Sequence, residues 1–485
     1  MTQLLQPSAY SLIESLRDVG YTLEAALADI VDNSITAQAK NIKIFSDSID
    51  DKSILAVVDD GCGMDFNELI VAMKIGSKNP LAERTEFDLG RFGLGLKTAS
   101  FSQCRRLTVI SRKKEDFNAM RWDLDLISKT NDWTLEILDL FQEQNLYKLD
   151  ELTSDGTIVI WENIDRIVDK TYNDSNSDEL NSKMNSVSKH LELVFHRYLD
   201  GENGKLKIFI NNVELRPFDP FNKKNNATRL LGEESISIDD QVIKIYPYIL
   251  PHHSKTTKLD YEYYAGDGGY LKNQGFYVYR NKRLLIHGTW FRLVPMKELY
   301  KLARVQIDLP NSLDYLWKID IKKANAFPPL SIKKRLQKII DKIVGQSTRV
   351  YIGKGHRESS SANAFWQKES ARGSIKFSIN KSHPFIVEFL DDLPEDKKHD
   401  FKNLLDYLGD FFPLDLAISE YGSSPQNFEK LELNNDILEE IALKKLSRLR
   451  GKLDIDDFVD FFKTTEPTNK YQKDWKVFVE KHYEE

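Results

Sequence analysis

The sequence predicts an α+β protein with more than one domain, and three observations lead to this prediction. The chain has 485 residues, whereas a single hydrophobic core rarely grows beyond ~250 residues. Helix and strand patterns alternate up to about Asp169 and again from Lys205 to about Gly345. The pattern after Phe377 is mostly helical. We therefore expect domains over residues 1–170 and 171–345, a linker or mobile loop over 346–375, and a mostly helical region over 376–485.

The composition narrows the class of protein. Hydrophobic residues make up 41% of the chain and charged residues 29%, as is typical of globular proteins. No apolar run approaches the ~18 residues of a bilayer span, and the first residues lack the pattern of a secretory signal. Cys62 and Cys104 are too few for a disulfide framework or a zinc site. We expect a cytoplasmic protein. Its net charge of -7 confines any nucleic-acid contact to a local basic patch.

The first domain is predicted to be a sheet with helices packed on it. A helix is predicted over residues 22–39, because apolar side chains recur near a 3.6-residue period and Thr22 is suited to the N-cap. Strand patterns follow at residues 41–45, 53–58, 107–111 and 157–161. The second of these is almost entirely apolar, which is typical of a strand buried on both faces. These elements indicate an α/β sandwich.

The first motif with chemical meaning is Asp29-Ile-Val-Asp-Asn33 on the predicted helix. Positions i and i+4 share a helix face, so Asp29 and Asn33 are expected to point the same way. A carboxylate and a carboxamide facing one pocket could activate a water and hold a hard cation. The alternative is that they are solvent-facing polar residues of an amphipathic helix.

The second motif, Asp59-Asp60-Gly61-Cys62-Gly63-Met64, follows a predicted buried strand. A carboxylate at that position can accept a hydrogen bond from an exocyclic amine, and glycines allow a flat base to approach the backbone. The alternative is an ordinary strand-ending turn.

The third motif is a glycine-rich run that opens into a helix: Gly90-Arg91-Phe92-Gly93-Leu94-Gly95-Leu96-Lys97-Thr98. Such a loop presents backbone N–H groups to phosphate oxygens, and Lys97 adds a positive charge. Its spacing differs from that of the P-loop and from that of the dinucleotide-binding fingerprint.

In this order, the three motifs resemble those of the GHKL ATPase superfamily, which includes DNA gyrase B, Hsp90, histidine kinases and MutL. A fourth segment agrees, since residues 156–161, Gly-Thr-Ile-Val-Ile-Trp, resemble the late strand whose threonine, here Thr157, lies near the adenine. The resemblance implies a Bergerat-type α/β sandwich that binds ATP with Mg²⁺.

The resemblance also implies roles for individual residues. Asn33 matches the asparagine that holds Mg²⁺ against the triphosphate, and Asp59 matches the aspartate that reads the adenine amino group. The remaining matches are beside the base (Gly61, Gly63, Met64), in the lid hinge and phosphate cradle (Gly90, Gly93, Leu94, Gly95, Lys97, Thr98) and, as in MORC-type proteins, at the start of the lid (Ser77, Lys78).

The general-base position falls on Asp29, where most ATP-hydrolysing members carry glutamate. Aspartate is one methylene shorter, and a displacement near ~1 Å can cost ~10²-fold in rate. We therefore expect slow ATP hydrolysis with Asp29 as the base.

The second domain resembles the S5-like transducer domain of MutL and MORC-type proteins. Residues 276–285 resemble its hairpin of strand, N-x-R and strand, with Asn281 and Lys282 at the turn. Residues 317–329 lie where those proteins deliver a lysine to the γ-phosphate, which makes Lys322 or Lys323 the candidate. A strand alternates its faces, so only one of the two would point into the site, and either one could be an ordinary surface lysine.

The resemblance implies an ATP-gated clamp that dimerises, with residues 1–21 as the exchanged arm and a lid between about Met73 and Gly95. MutL and MORC relatives act on DNA, and related ATPases occur in bacterial restriction and phage-defence clusters with separate nuclease or helicase subunits. A basic face at Lys333, Lys334, Arg335, Lys338 and Lys342 could contact DNA or be merely solvated. The alternatives are a chaperone-like or assembly switch acting on proteins, and a nucleotide-binding scaffold that does not hydrolyse ATP.

Overall fold

A computed structural model gives the structure of the chain, and it divides into two compact units, Met1–Ser347 and Thr348–Glu485. The described residues are 8–18, 20–49, 52–76, 95–140, 142–143, 146–166, 176–201, 206–238, 241–313, 316–317, 328–352, 363–371, 374–413, 435–449, 453–471 and 474–483. Within them, no helix is both long and apolar enough to cross a membrane.

An eight-stranded sheet forms the base of the first unit. Its strands are β1 (Asn41–Ile49), β2 (Lys52–Asp59), β3 (Cys104–Lys113), β4 (Asp116–Asp123), β5 (Glu136–Leu138), β6 (Gly156–Ile164), β7 (Lys207–Ile210) and β8 (Val213–Glu214). Their order across the sheet is β5-β4-β3-β6-β2-β1-β7-β8. All neighbours are antiparallel except β1 and β7. The four strands predicted from the sequence are thereby confirmed as β1, β2, β3 and β6.

Helices cover this sheet: α1 (Ala9–Arg17), α2 (Leu23–Thr36), α3 (Phe66–Met73), α4 (Gly95–Phe101), α5 (Leu124–Thr130), α6 (Asn176–Val194) and α7 (His196–Leu199). The N-cap predicted at Thr22 is confirmed, because its side chain accepts a hydrogen bond from the backbone N–H of Ala25. Apolar side chains of α1, α2 and α6 form one core with those of the strands. The sandwich of helices on a sheet is therefore as the sequence predicts.

The sheet takes in residues beyond the domain boundary expected at residue 170. Helix α6 contributes Leu180, Met184, Val187 and Leu191 to the core of the first sheet. The hairpin of β7 and β8 turns at Asn211 and Asn212, and it pairs with β1 at the edge of this sheet. Periodicity identifies such a hairpin without showing which strand it pairs with.

A second sheet of six strands follows within the same unit: β9 (Arg229–Leu230), β10 (Glu234–Ile238), β11 (Gln241–Ile249), β12 (Gly275–Arg280), β13 (Arg283–Thr289) and β14 (Ala303–Leu309). Its order is β10-β11-β14-β12-β13, with β9 pairing to β11. The helices of this part are α8 (Lys258–Ala265), α9 (Gly269–Lys272) and α10 (Leu330–Ile352). The turn predicted at Asn281 and Lys282 is confirmed, since both residues have positive φ between β12 and β13.

The second unit contains the hairpin β15 (Trp366–Ala371) and β16 (Ser374–Ile379) and the helices α11 (Pro384–Asp392), α12 (Glu395–Asp410), α13 (Asn435–Leu449), α14 (Ile455–Thr464) and α15 (Trp475–His482). Helices α11 to α15 account for the mostly helical pattern expected over residues 376–485. The expected linker differs from the structure, because α10 continues to Ile352 and β15 begins at Trp366. The Gly- and Ser-rich residues that suggested it, 353–362, lie outside the described ranges.

Candidate functional site

The structure describes about half of the predicted site. Seven of its residues lie outside the described ranges and keep their predicted roles without a structural account: Ser77, Lys78, Gly90, Gly93, Leu94, Lys322 and Lys323. The described ones come from helix α2, the end of β2, the start of β6 and helix α4: Asp29, Asn33, Asp59, Gly61, Gly63, Met64, Gly95, Lys97, Thr98 and Thr157.

The carboxylate of Asp59 is fixed at the end of strand β2 and is nearly enclosed, with 7% of the residue exposed. The hydroxyl of Ser34 donates a hydrogen bond to Oδ2 at 2.7 Å, and the backbone N–H of Gly61 donates to Oδ1 at 2.9 Å. Burial raises the pKa of Asp59 above its ordinary value, although both hydrogen bonds act in the opposite direction. Each carboxylate oxygen can accept a further hydrogen bond, so the group can still receive a donor from a ligand.

The turn after Asp59 packs too closely for side chains at its glycines. A Cβ at Gly61 would lie 2.8 Å from the Cβ of Ala37, on the end of helix α2. Gly63 has a φ of +63°, and a Cβ there would lie 1.9 Å from the carbonyl oxygen of Arg112. The turn is thus held between helix α2 and strand β3, and it presents backbone next to the Asp59 carboxylate.

Ser111 ties this turn to the strand that carries Thr157. Its hydroxyl accepts a hydrogen bond from the backbone N–H of Met64 at 2.8 Å and donates to the carbonyl oxygen of Gly156 at 3.0 Å. The hydroxyls of Ser111 and Thr157 are 3.0 Å apart, and Thr157 lies opposite Asp59 in the pairing of β2 with β6. The second and fourth motifs of the sequence therefore meet at one place, on the adjacent strands β2 and β6.

Asp29 lies on helix α2 with 4% of the residue exposed. The hydroxyl of Tyr21 donates a hydrogen bond to its Oδ2 at 3.0 Å. Gly95, the first residue of α4, lies beside it, since a Cβ there would be 3.6 Å from Oδ2. The described part of the third motif therefore begins next to the first motif. Asn33, one turn further along α2, is exposed, whereas Asp29 is buried.

The ammonium group of Lys97 is engaged within the protein. Lys97 is buried in the first turn of α4, and its Nζ donates a hydrogen bond to the carbonyl oxygen of Ala72 at 2.8 Å. The side chain thereby joins α4 to the end of α3, the two helices that flank undescribed residues 77–94. Thr98 is also buried. In the part of the chain that the structure describes, no three His, Cys, Asp or Glu side chains are grouped to hold a metal ion.

Arg283, at the start of β13, reaches the same helix from the second sheet. Its Nε lies 2.7 Å from the carboxylate of Asp32, and its Nη2 lies 3.7 Å from Oδ1 of Asp29. The carboxylate of Asp32 thus points towards the second sheet. This agrees with the helical spacing, which places Asp32 about 100° from Asn33.

Sequence reasoning did not identify four residues of this site: Tyr21, Ser34, Ser111 and Arg283. A signal existed for Ser34, because it is a small polar residue within the apolar stripe of α2. Arg283 belongs to the N-x-R hairpin, yet its partner is 251 residues away. No local pattern indicates a contact of that separation.

Comparison with known proteins shows which families of ATPases this chain is similar to. Residues 21–157 match the family described as histidine kinase-, DNA gyrase B-, and HSP90-like ATPase. A segment of 89 residues, 18% of this chain, is 32% identical to ATPase morc-1 of Caenorhabditis elegans. A segment of 103 residues, 20% of the chain, is 30% identical to ATPase MORC2B of Mus musculus. Each segment spans 10% of the relative's length.

The matched region contains helix α2, the Asp59 turn, the glycine-rich run and Thr157, the four features on which the predicted nucleotide site is based. Residues 21–157 of this chain are therefore similar to the histidine kinase-, DNA gyrase B- and HSP90-like ATPase family, and segments of the chain are similar to two MORC-type ATPases.

Proposed function

We propose that this protein binds ATP with Mg²⁺, hydrolyses it slowly and acts as an ATP-gated clamp that dimerises in a DNA-linked process. The nucleotide part of the proposal is supported by the Asp59 carboxylate, which Ser34 and Gly61 hold beside a turn with no room for side chains at Gly61 and Gly63. A fixed acceptor next to backbone without side chains suits a flat heterocycle that carries an exocyclic amino group. Adenine has both features.

The phosphate side of the proposed site is formed by helix α2 and the glycine-rich run. Asn33 offers an exposed carboxamide oxygen, which is a ligand type that Mg²⁺ accepts. When bound there, Mg²⁺ would neutralise charge on the phosphates. Gly95, Lys97 and Thr98 belong to the predicted phosphate cradle, and Lys97 would exchange the carbonyl of Ala72 for a phosphate oxygen.

Asp29 is the proposed general base for the attacking water. Its carboxylate is held by Tyr21 and lies beside the first residue of α4, where the glycine-rich run ends. General bases act through an oriented acceptor within hydrogen-bond reach of the water. Its shorter side chain is the reason that we propose slow turnover.

The test is ATP binding and phosphate release with Mg²⁺, measured for the full chain with and without duplex DNA. Asp59→Asn should abolish binding, while Asp29→Asn should retain binding and lose phosphate release. Asp60→Asn is a matched control for the first variant, because Asp60 accepts its hydrogen bonds from Lys40 and Asn41, away from the turn. Glu24→Gln on the first turn of α2 is the control for the second.

Three results would contradict this proposal at different levels. Binding that survives Asp59→Asn would reject the adenine site. Binding by the wild type without phosphate release would leave a nucleotide-dependent switch or scaffold. Phosphate release that survives Asp29→Asn would move the general base to another residue.

We propose further that ATP binding closes a dimer through the N-terminal region. Helix α1 lies on its own domain in this structure, with Ala9 and Ile13 in the core and Arg17 donating to the carbonyl oxygen of Phe101 at 2.8 Å. An arm that crosses to a second copy would either consist of residues before α1 or require α1 to detach. Light scattering of Asp29→Asn with and without ATP tests this, and a mass that stays monomeric with bound ATP would reject it.

The DNA-linked role is supported by one surface of helix α10. Lys334, Arg335 and Lys338 are exposed on it, while Lys342 is paired with Glu234 at 2.7 Å. We propose that the protein works in the cytoplasm in bacterial restriction or phage defence, with separate nuclease or helicase subunits. DNA retention that weakens steeply with salt is the expected result. ATP-driven dimerisation without DNA retention would favour a protein client instead.

A further inference from the structure

Arg283 connects the second sheet to the helix that carries the proposed base. The side chain is 5% exposed, and its Nε donates to the carboxylate of Asp32 at 2.7 Å. Its Nη2 lies 3.7 Å from Oδ1 of Asp29, within range of a direct charge interaction. One guanidinium therefore faces two carboxylates of α2 that are three residues apart.

The hairpin holds Arg283 in a defined place. Its two turn residues, Asn281 and Lys282, have φ angles of +46° and +66°, as in the tight turns that suit the twist of paired strands. The hydroxyl of Tyr198 donates a hydrogen bond to the carbonyl oxygen of Asn281. The guanidinium carbon also lies 5.7 Å from the ring centroid of Phe195. These contacts hold the arginine against residues that pack with the first sheet.

The charges explain why this contact matters for Asp29. Asp29 and Asp32 are both buried, and two anions on adjacent turns of a helix repel each other. The guanidinium between them compensates this repulsion, while Tyr21 holds the other oxygen of Asp29. The direction of the Asp29 carboxylate thus depends on a residue of the second sheet.

We propose that Arg283 is a positioning residue for hydrolysis, because its guanidinium contacts both Asp29 and Asp32 and thereby aligns the Asp29 carboxylate. Turnover therefore requires the β12–β13 hairpin to be docked on helix α2. This inference rests on the proposed role of Asp29 as the base, and it extends that role to regulation by the second sheet. A movement that withdraws the hairpin would leave ATP bound but unhydrolysed.

The experiment compares Arg283→Met, Arg283→Lys and Lys282→Met in the full chain by steady-state phosphate release. Lys282 is exposed in the same turn and is the matched control. We expect Arg283→Met to lower kcat by about 10- to 100-fold, with a KM for ATP within about twofold of wild type. Arg283→Lys should recover part of kcat because it keeps the charge, and Lys282→Met should match the wild type.

Two further measurements separate this role from a structural one. Combining Arg283→Met with Asp32→Asn should lower kcat no further than Arg283→Met alone, because both changes break the same contact. Hydrogen exchange should increase in α2 and in the hairpin of Arg283→Met. Should that variant not fold, the pair Asp32→Asn with Arg283→Met removes both charges together and is tested in the same way.

The failure of this inference differs from the failure of the proposed function. An Arg283→Met variant with the kcat of the wild type, or one in which KM rises as much as kcat falls, overturns the positioning role. A wild type that binds ATP without phosphate release rejects hydrolysis itself. In that case hydrogen exchange decides, and unchanged exchange in α2 of Arg283→Met rejects the coupling as well.

Discussion

The hydroxyl of Ser34 donates a 2.7 Å hydrogen bond to Oδ2 of Asp59, which joins the last turn of helix α2 to the end of strand β2. Both groups are buried. The contact lies within residues 21–157, which match the ATPase family, and it fixes the direction in which the Asp59 carboxylate points. The strength of nucleotide binding should therefore depend on Ser34, although Ser34 is not among the site residues predicted from the sequence.

Ser34→Ala should weaken ATP binding by about tenfold. The variant removes a hydrogen bond to a buried carboxylate, an interaction that contributes about 1.5–3 kcal/mol. Isothermal titration of ATP measures the change, and urea unfolding measures the accompanying loss of stability. Thr36→Ala on the same helix is the control, because its hydroxyl donates to the carbonyl oxygen of Asp32 within the helix. Equal affinities for Ser34→Ala and the control would contradict the prediction.

Asp59→Asn should abolish ATP binding without lowering the free energy of unfolding at neutral pH. Burial raises the pKa of Asp59, so the native state binds this proton more tightly than the unfolded state does. The ionised carboxylate is therefore unfavourable to folding above the raised pKa, and its contribution improves as the pH falls through that value. Urea unfolding at neutral pH measures the stability of Asp59→Asn against the wild type.

The raised pKa of Asp59 also predicts how the affinity for ATP depends on pH. A protonated carboxyl group loses acceptor capacity, so ATP affinity should decline on acidification at a higher pH than an ordinary aspartate would cause. A titration of affinity against pH for the wild type checks this. A stability loss of several kcal/mol in Asp59→Asn, or an affinity that is constant down to the ordinary aspartate range, would contradict the interpretation.

Gly63→Ala should destabilise the protein by about 2–5 kcal/mol. The added Cβ would lie 1.9 Å from the carbonyl oxygen of Arg112, and the residue has a φ of +63°. Gly269→Ala is a matched control, since its φ is +77° and no atom lies within 4 Å of the added Cβ. The control isolates the cost of the positive φ, about 1–2 kcal/mol. Thermal unfolding of both variants is the measurement, and equal losses would contradict the close packing at Gly63.

His196 should make the stability fall as the pH drops from about 6.5 to about 4. Burial lowers the pKa of His196 to about 4, so the unfolded chain binds the proton more readily in that range. The loss is on the order of 3 kcal/mol. His196→Asn should flatten this part of the pH profile, because an amide can still donate to the carbonyl oxygen of Leu193. An unchanged slope in the variant would contradict the assignment.

The sequence predicts four strands of the first sheet, β1, β2, β3 and β6, because each of these carries a local signal. The residues of β2 are almost all apolar and end at Asp59, and the structure places that residue at the last position of the strand. The turn at Asn281 and Lys282 is predicted for the same reason, since asparagine tolerates positive φ. Local signals of this kind require no knowledge of the partner strand.

The parts that could not be predicted depend on contacts between distant residues. The parallel pairing of β1 with β7 joins residues more than 160 positions apart, and hydrophobic periodicity contains no information on it. The same is true of Arg283 and Asp32. Within the site, the sequence identified Asp29 and Asp59, whereas the hydroxyl groups of Tyr21, Ser34 and Ser111 that hold or flank the site became visible only in three dimensions.

The pairing of β7 with β1 also has a practical consequence for dissecting the protein. The match to the ATPase family ends at residue 157, and this end point would suggest preparing a shortened form of the protein that stops soon afterwards. Such a form would lack both α6 and the β7–β8 hairpin, leaving the backbone of β1 as an open edge and uncovering the apolar side chains that α6 shields. Open edges of this kind promote aggregation. An isolated nucleotide-binding fragment should therefore extend to at least residue 215, and poor behaviour of a shorter one would reflect its missing edge strand rather than an inability to bind ATP.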